Sequence, residues 1–278
     1  MNLVLAHGFL GFQKLFGIEY FRNLKQHLEA HFPVKILVTK VDPDDGIEVR
    51  GGQLRHQILV ALGELPPETE DERGIANTLD PSQKTHIIGH SMGGLDARFV
   101  LSPASPDHIA TRVASLTTIS TPHRGSPIAD LIVSKLDGKG LSVCDHWLER
   151  RLRKIITALG ISLHGLQDLT ADACAEFNRH CSDHPDVRYF SVAGRGRAAG
   201  RPTAKILHPA YKYIKKKTGE ENDGLVTVAS AQWGTFDSDL WPADHADEIG
   251  HDLDRIGQSG QFDHLAKFRE LVTRLQKI

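Results

Sequence analysis

The chain has 278 residues, 40% of them hydrophobic and 24% charged, with a formal net charge of -2. That is enough apolar material for one large core, and a single α/β domain of this length is ordinary. The balanced charge gives no global reason to expect nucleic acid, no apolar run reaches membrane-spanning length, and fixed-period repeats and low-complexity tracts are absent.

In chain order, "LVLAH" (Leu3 to His7) reads as a first buried strand, and Tyr20 to His31 carries helical spacing. "VKILVTKV" (Val34 to Val41) is a second strand, followed by a helical pattern from Glu48 to Leu62. "THIIG" (Thr85 to Gly89) and Leu95 to Leu101 repeat the strand-then-helix order. "VASLTTIS" (Val113 to Ser120) and "VRYFSVAG" (Val187 to Gly194) are further strands, and Gln261 to Lys277 ends the chain as a helix with Phe262, Leu265, Phe268, Val272 and Leu275 on one side. Apolar strands alternating with helices predict an α/β fold with a parallel sheet covered on both faces. Three cysteines make an odd set; Cys174 and Cys181, if they share a helix, lie roughly 10 Å apart, so no disulfide framework is expected. "MNLVLAHG" has no charged leader, long apolar stretch or cleavage site. A soluble protein is expected, although a removed leader would leave the same record, and the compartment stays open.

The stretch "THIIGHSMGGLDARF" (Thr85 to Phe99) sets Ser91 between Gly89 and Gly93 where a strand turns into a helix. A turn tight enough to lift one side chain above the sheet crowds β-carbons two positions away, which favours glycine there. The hydroxyl then sits at a helix N-terminus, and the Met92 amide faces any negative oxygen that forms beside it. A serine needs a base to take its proton and a carboxylate to orient that base. Asp223, in the Asn-Asp-Gly turn of "NDGLV", is the candidate acid, and His245 in "WPADHADEIG" the candidate base. His251 and His264 are its rivals; His264 falls inside the last helix, whereas His251 stays open on the residues alone.

Six segments in order resemble the bacterial true lipases of the Pseudomonas, Burkholderia and Proteus group: "VLAHGFLGF", "VRGGQL", "GHSMGG", "STPHRGS", "NDGLV" and "DHADEIG". The resemblance implies an α/β-hydrolase fold, a mostly parallel central sheet flanked by helices with a helical lid or cap insertion at about 124–165. It implies the triad Ser91, Asp223 and His245, deciding between His245 and His251, and an oxyanion hole made by the backbone amides of Phe9 and Met92. His7 is expected to brace the loop that carries Phe9. In the lid segment, "WLERRLRKIITALG" lines up Leu148, Leu152, Ile155, Ile156 and Leu159 on one helical side. Such a helix either opens at a lipid surface, exposing Trp147 as well, or stays fixed on the sheet as a cap.

The resembled lipases hold a structural calcium through an aspartate two residues after the catalytic histidine, here Asp247, and a second aspartate whose place falls on Thr203 by ungapped count. With no carboxylate from Val187 through Gly219, the calcium site is at best altered. No essential cofactor is expected. The same stretch carries "GRGRAAGR" and "YKYIKKK" and is read as a solvated insertion with its charge balanced elsewhere, the alternative being an anionic lipid or nucleic-acid surface. The expected partner is a lipid or ester substrate at a lipid–water interface, with neither nucleic acid nor a transmembrane segment. The expected function is a triacylglycerol lipase or carboxylesterase working through an acyl-enzyme. A thioesterase, an acyltransferase and a non-enzymatic binding protein of the same fold are the alternatives.

Overall fold

The computed structural model describes residues 1–9, 11, 19–106, 108–136, 164–196, 204–255 and 262–278. Among them, six strands form one sheet: β1 (Asn2–Ala6), β2 (Lys35–Val38), β3 (Thr85–His90), β4 (Val113–Ile119), β5 (Arg188–Val192) and β6 (Thr235–Phe236). Their order is β2-β1-β3-β4-β5-β6, and every pairing is parallel. Five strands match the expected ones; β6, two residues long, offers no pattern to read.

The apolar runs are continuous because both faces are covered. Leu3, Leu5, Ile88 and Ile119 face one layer, where they meet Leu24, Leu28, Phe268 and Val272. Val4, Ala6, Ile87 and Leu116 face the other, against Leu54, Ile58, Ala97 and Val100. The helices are α1 (Leu24–His31), α2 (Ile47–Ala61), α3 (Glu70–Arg73), α4 (Met92–Leu101), α5 (Pro127–Leu136), α6 (His164–Asp168), α7 (Ala171–His180), α8 (His208–Thr218), α9 (Val228–Ala231) and α10 (His264–Leu275). No helix among the described residues is long and apolar enough to cross a membrane.

Three boundaries depart from expectation. Helix α1 starts at Leu24 rather than Tyr20, because Asn23 takes a left-handed φ of 54° and breaks the periodic run. Helix α4 starts at Met92, directly after Ser91, three residues before the expected Leu95. Helix α8 occupies the basic stretch read as a solvated insertion: Ala210 and Ile214 pack on Ile128 of α5, while Lys215 and Lys217 pair with Glu221 and Asp130. That segment is an amphipathic helix with part of its charge balanced. Residues 148–159 and Trp147, in the expected lid, lie outside the described residues, as does Thr203. Cys174 and Cys181 are free thiols, as expected.

The glycines around Ser91 mark backbone crowding. A Cβ on Gly89 would stand 2.7 Å from Gly94 Cα, and one on Gly93 would run into the carbonyls of Ala6 and His7. Gly52, exposed on α2, has nothing near its missing Cβ. Gly93→Ala should therefore destabilise by more than about 2 kcal/mol, while Gly52→Ala should stabilise by about 0.5–1 kcal/mol through helix propensity. Urea unfolding of both variants checks the contrast; equal effects would contradict it.

Candidate active site

Ser91 occupies the turn between β3 and α4 with φ 54° and ψ -131°. A serine held there stores about 1–3 kcal/mol of backbone strain. Its amide donates to Ile119 O at 2.9 Å, which ties the turn to β4. The side chain does not cap α4, so the hydroxyl remains available for chemistry.

Asp223 is fully buried, and each of its carboxylate oxygens is engaged. Oδ1 accepts from the amides of Leu225 and Val226 at 2.8 and 2.7 Å, and Oδ2 accepts from His245 Nδ1 at 2.7 Å. The His245 amide also donates to Asp223 O at 3.0 Å. Acid and base are thus joined twice, which fixes the imidazole with Nδ1 protonated and Nε2 as its basic nitrogen. The ring lies 4.5 Å from that of His90, the residue before Ser91. Acid and base are hydrogen-bonded and packed beside the serine turn, and no hydrogen bond joins Ser91 Oγ to His245 Nε2. Such contacts commonly tighten only when substrate is bound.

The rival histidines have other work. His251 Nε2 faces the carbonyls of Glu19 and Tyr20 at 3.0 and 2.9 Å, and His264 Nε2 faces Arg22 O at 2.9 Å. Both anchor residues 19–22. His123, in "STPHRGS", is stacked on Trp233, and burial holds its pKa well below the ordinary value.

Met92 is the first residue of α4, where amides have no intrahelical acceptor. Phe9 follows Gly8, whose own Cβ would stand 2.6 Å from Ser91 Cβ, so this loop crosses directly over the serine. Phe9 packs near Met92, Leu95 and Leu166. His7 braces the loop as expected: Nδ1 donates to Gly8 O at 2.9 Å and Nε2 accepts from Val41 N at 3.1 Å. Burial, and then the Arg50 charge, push its pKa down to about 4, so it is a neutral strut.

One buried cluster escaped the sequence reading. Tyr20 Oη meets His90 Nδ1 at 2.7 Å, His90 Nε2 meets Glu248 Oε2 at 3.1 Å, and Ser120 Oγ donates to Glu248 Oε1 at 2.7 Å. Burial and the nearby Asp223 charge raise Glu248 well above the usual carboxylate range, while burial lowers His90. The two are hydrogen-bonded behind the triad, and burial disfavours the charged form of each. Both residues sit inside quoted motifs, yet 158 positions separate them, and no spacing signals the contact.

The calcium reading fits poorly. Asp247 is fully buried. Its neighbour Asp244 already accepts from the amides of Ala246 and Asp247 at 3.0 Å and from Ala204 N at 2.8 Å. Among the described residues that leaves Asp247 as the one expected ligand, where calcium takes six to eight oxygens. The described group with three possible metal ligands close together is His90, His245 and Glu248, all engaged in the hydrogen bonds above.

Comparison with known proteins bears on what this arrangement is. The triacylglycerol lipase of Pseudarthrobacter phenanthrenivorans is 35% identical over an alignment that covers 99% of this chain and 96% of that protein. The chain belongs to the lipase family of α/β hydrolases. This lipase-family chain is also 31% identical to triacylglycerol lipase 2 of Saccharomyces cerevisiae over 86% of its length, but spans 64% of the yeast protein. The PGAP1-like alpha/beta domain matches residues 70–146. The crystal structure of a metagenomic carboxyl esterase superposes over the full chain and 76% of its own, with a TM-score of 0.70 at 19% identity, which shows the common α/β-hydrolase fold.

The neutral His7 makes a pH prediction. An unfolded histidine takes up its proton near 6.5 and the folded one near 4, so its contribution to stability is complete above about 6.5 and fades as pH falls towards 4. Buried Asp96 and Asp244, both pushed up to about 6, titrate with the opposite sign, so the difference from a His7→Gln variant isolates the effect. Urea unfolding should show the wild type's advantage over His7→Gln shrinking below pH 6.5 by up to about 1.4 kcal/mol per pH unit. An advantage independent of pH would contradict the neutral assignment.

Proposed function

We propose that this chain hydrolyses carboxylic esters of lipids through an acyl-enzyme on Ser91, as a member of the Pseudomonas, Burkholderia and Proteus group of lipases. The observation that carries this reading is the doubly joined Asp223–His245 pair beside a serine whose strained turn leaves its hydroxyl without a capping hydrogen bond. In the first step His245 Nε2 takes the Ser91 proton as Oγ attacks the ester carbonyl, and Asp223 holds the resulting imidazolium. The carbonyl oxygen gathers negative charge that the Phe9 and Met92 amides stabilise. His245 then delivers its proton to the departing alcohol. Water repeats the sequence in reverse and frees the acid. Ester hydrolysis is the chemistry named for the relatives, which favours it over thioester cleavage or acyl transfer.

The chain is read as a single α/β-hydrolase domain with a lid or cap insertion at about 124–165, of which residues 137–163 lie outside the described residues. Catalysis needs no metal in this reading, and the Asp244 clasp on Ala204, Ala246 and Asp247 does the local cross-linking.

Ser91→Ala should remove activity by about 10⁴-fold or more, and Asp223→Asn and His245→Ala should each cost several powers of ten, with circular dichroism unchanged. The assay is a series of esters from soluble short-chain to emulsified triglyceride. Substantial turnover by folded Ser91→Ala would overturn the assignment. A chelator should leave the melting temperature and the activity unchanged; a clear drop in either, restored by calcium, would reverse the metal reading.

A further inference from the structure

The segment "VRGGQL" (Val49 to Leu54) carries part of the family resemblance and has no role in the chemistry above. Its Arg50 is one of the largest fully buried side chains in the molecule. A guanidinium taken out of water must find acceptors for its donors. Those it finds belong to the walls of the active site.

Nε and Nη2 both donate to Asp96 Oδ2, at 3.0 and 2.7 Å. Nη2 also donates to His7 O at 2.8 Å, and Nη1 donates to Asp42 O. His7 is the residue before Gly8 and Phe9, and Asp96 lies on α4 four residues after Met92, about one turn along the same face. Helix packing delivers the contact: α2 and α4 meet at Gly51, where a Cβ would stand 2.7 Å from Phe99 Cδ1 and 3.4 Å from Asp96 O.

Stability alone explains the pair badly. Asp96 Oδ1 is buried without a partner among the described residues, and buried ion pairs often contribute little against apolar substitutes of the same volume. What the pair does join is the loop bearing one anion donor to the helix bearing the other.

We propose that Arg50 and Asp96 are positioning residues for acyl transfer, holding the Phe9 amide and the Met92 amide at the separation a tetrahedral oxyanion requires. This rests on the Ser91 acyl-enzyme reading. Neither side chain touches a reacting atom. Arg50 holds the His7 carbonyl, His7 Nδ1 holds the next carbonyl along, and Phe9 follows; Asp96 anchors the other end of the clasp to α4. Loss of the clasp loosens the anion site while leaving Ser91, His245 and Asp223 in place.

The test compares full-length wild type with Arg50→Met, Arg50→Lys, Asp96→Asn and Ser91→Ala on a soluble p-nitrophenyl ester. It also measures inhibition by an alkylboronic acid, whose serine adduct places an oxygen in the anion site. Arg50→Met should lower kcat by about 10²–10³-fold, the scale of losing one oxyanion donor, with KM changed by less than about threefold. Boronate affinity should fall in step with kcat/KM, Arg50→Lys should recover about tenfold of the loss, and Asp96→Asn should lose about tenfold. If Arg50→Met does not fold, the other two variants read the same split. Folded variants with a lower melting temperature but kcat and boronate affinity within about threefold of wild type would overturn the proposal, leaving the pair as a fold brace. In that case an inactive Ser91→Ala shows that the serine reading survives. An active Ser91→Ala overturns that reading and this inference together.

Discussion

The active site depends on one backbone contact: the first turn of α4 lies against the carbonyls of Ala6 and His7 at the end of β1. Gly93 permits the approach from the helix, and Gly8 lets the outgoing loop pass over the Ser91 side chain. With β1 and β3 adjacent in the sheet, Ala6 opposite Gly89, their C-terminal ends emerge side by side. One strand sends out the nucleophile and the other the loop with the Phe9 amide. A single methyl group at Gly93 would wedge the two apart.

Around that contact lie several buried polar groups whose charged forms burial disfavours. His7 sits at about 4 and His90 lower than its ordinary value, while Glu248 is raised, all chiefly through burial. Neutral struts fix geometry without competing with the charge that catalysis develops. Asp223 is held by its partners: two amides and the His245 imidazole donate to it. The backbone strain at Ser91 persists because the flanking strand, helix and loop over-determine the turn.

The parts of this arrangement that were legible in the sequence are local ones. A strand-turn-helix with glycines around a serine declares its own crowding, and an Asn-Asp-Gly turn before an apolar segment marks a candidate acid. The contacts that complete the site join distant positions: Arg50 with Asp96 and His90 with Glu248 are separated by 46 and 158 residues. No periodicity encodes those pairings, which follow from how α2 packs on α4 and how the loop after Trp241 returns over the sheet. The surroundings of Asp247 show the same limit. Asp247 was visible from the resemblance, but the three amides on Asp244 come from Ala204, Ala246 and Asp247, so the clasp needs two chain segments at once. The start of helix α1 was misplaced and strand β6 went unread for local reasons, a left-handed Asn23 and a strand too short to alternate.

The central claim is that Ser91, His245 and the Phe9 and Met92 amides converge on one reacting carbon. The most direct measurement is a crystal structure after reaction with an alkylphosphonate ester. The account predicts a covalent bond from Ser91 Oγ to phosphorus and the phosphoryl oxygen about 2.7–3.1 Å from both amides, with His245 Nε2 within hydrogen-bond reach of the ester oxygens. Phosphorus on another residue, or on Ser91 with its oxygen turned to solvent away from both amides, would contradict it.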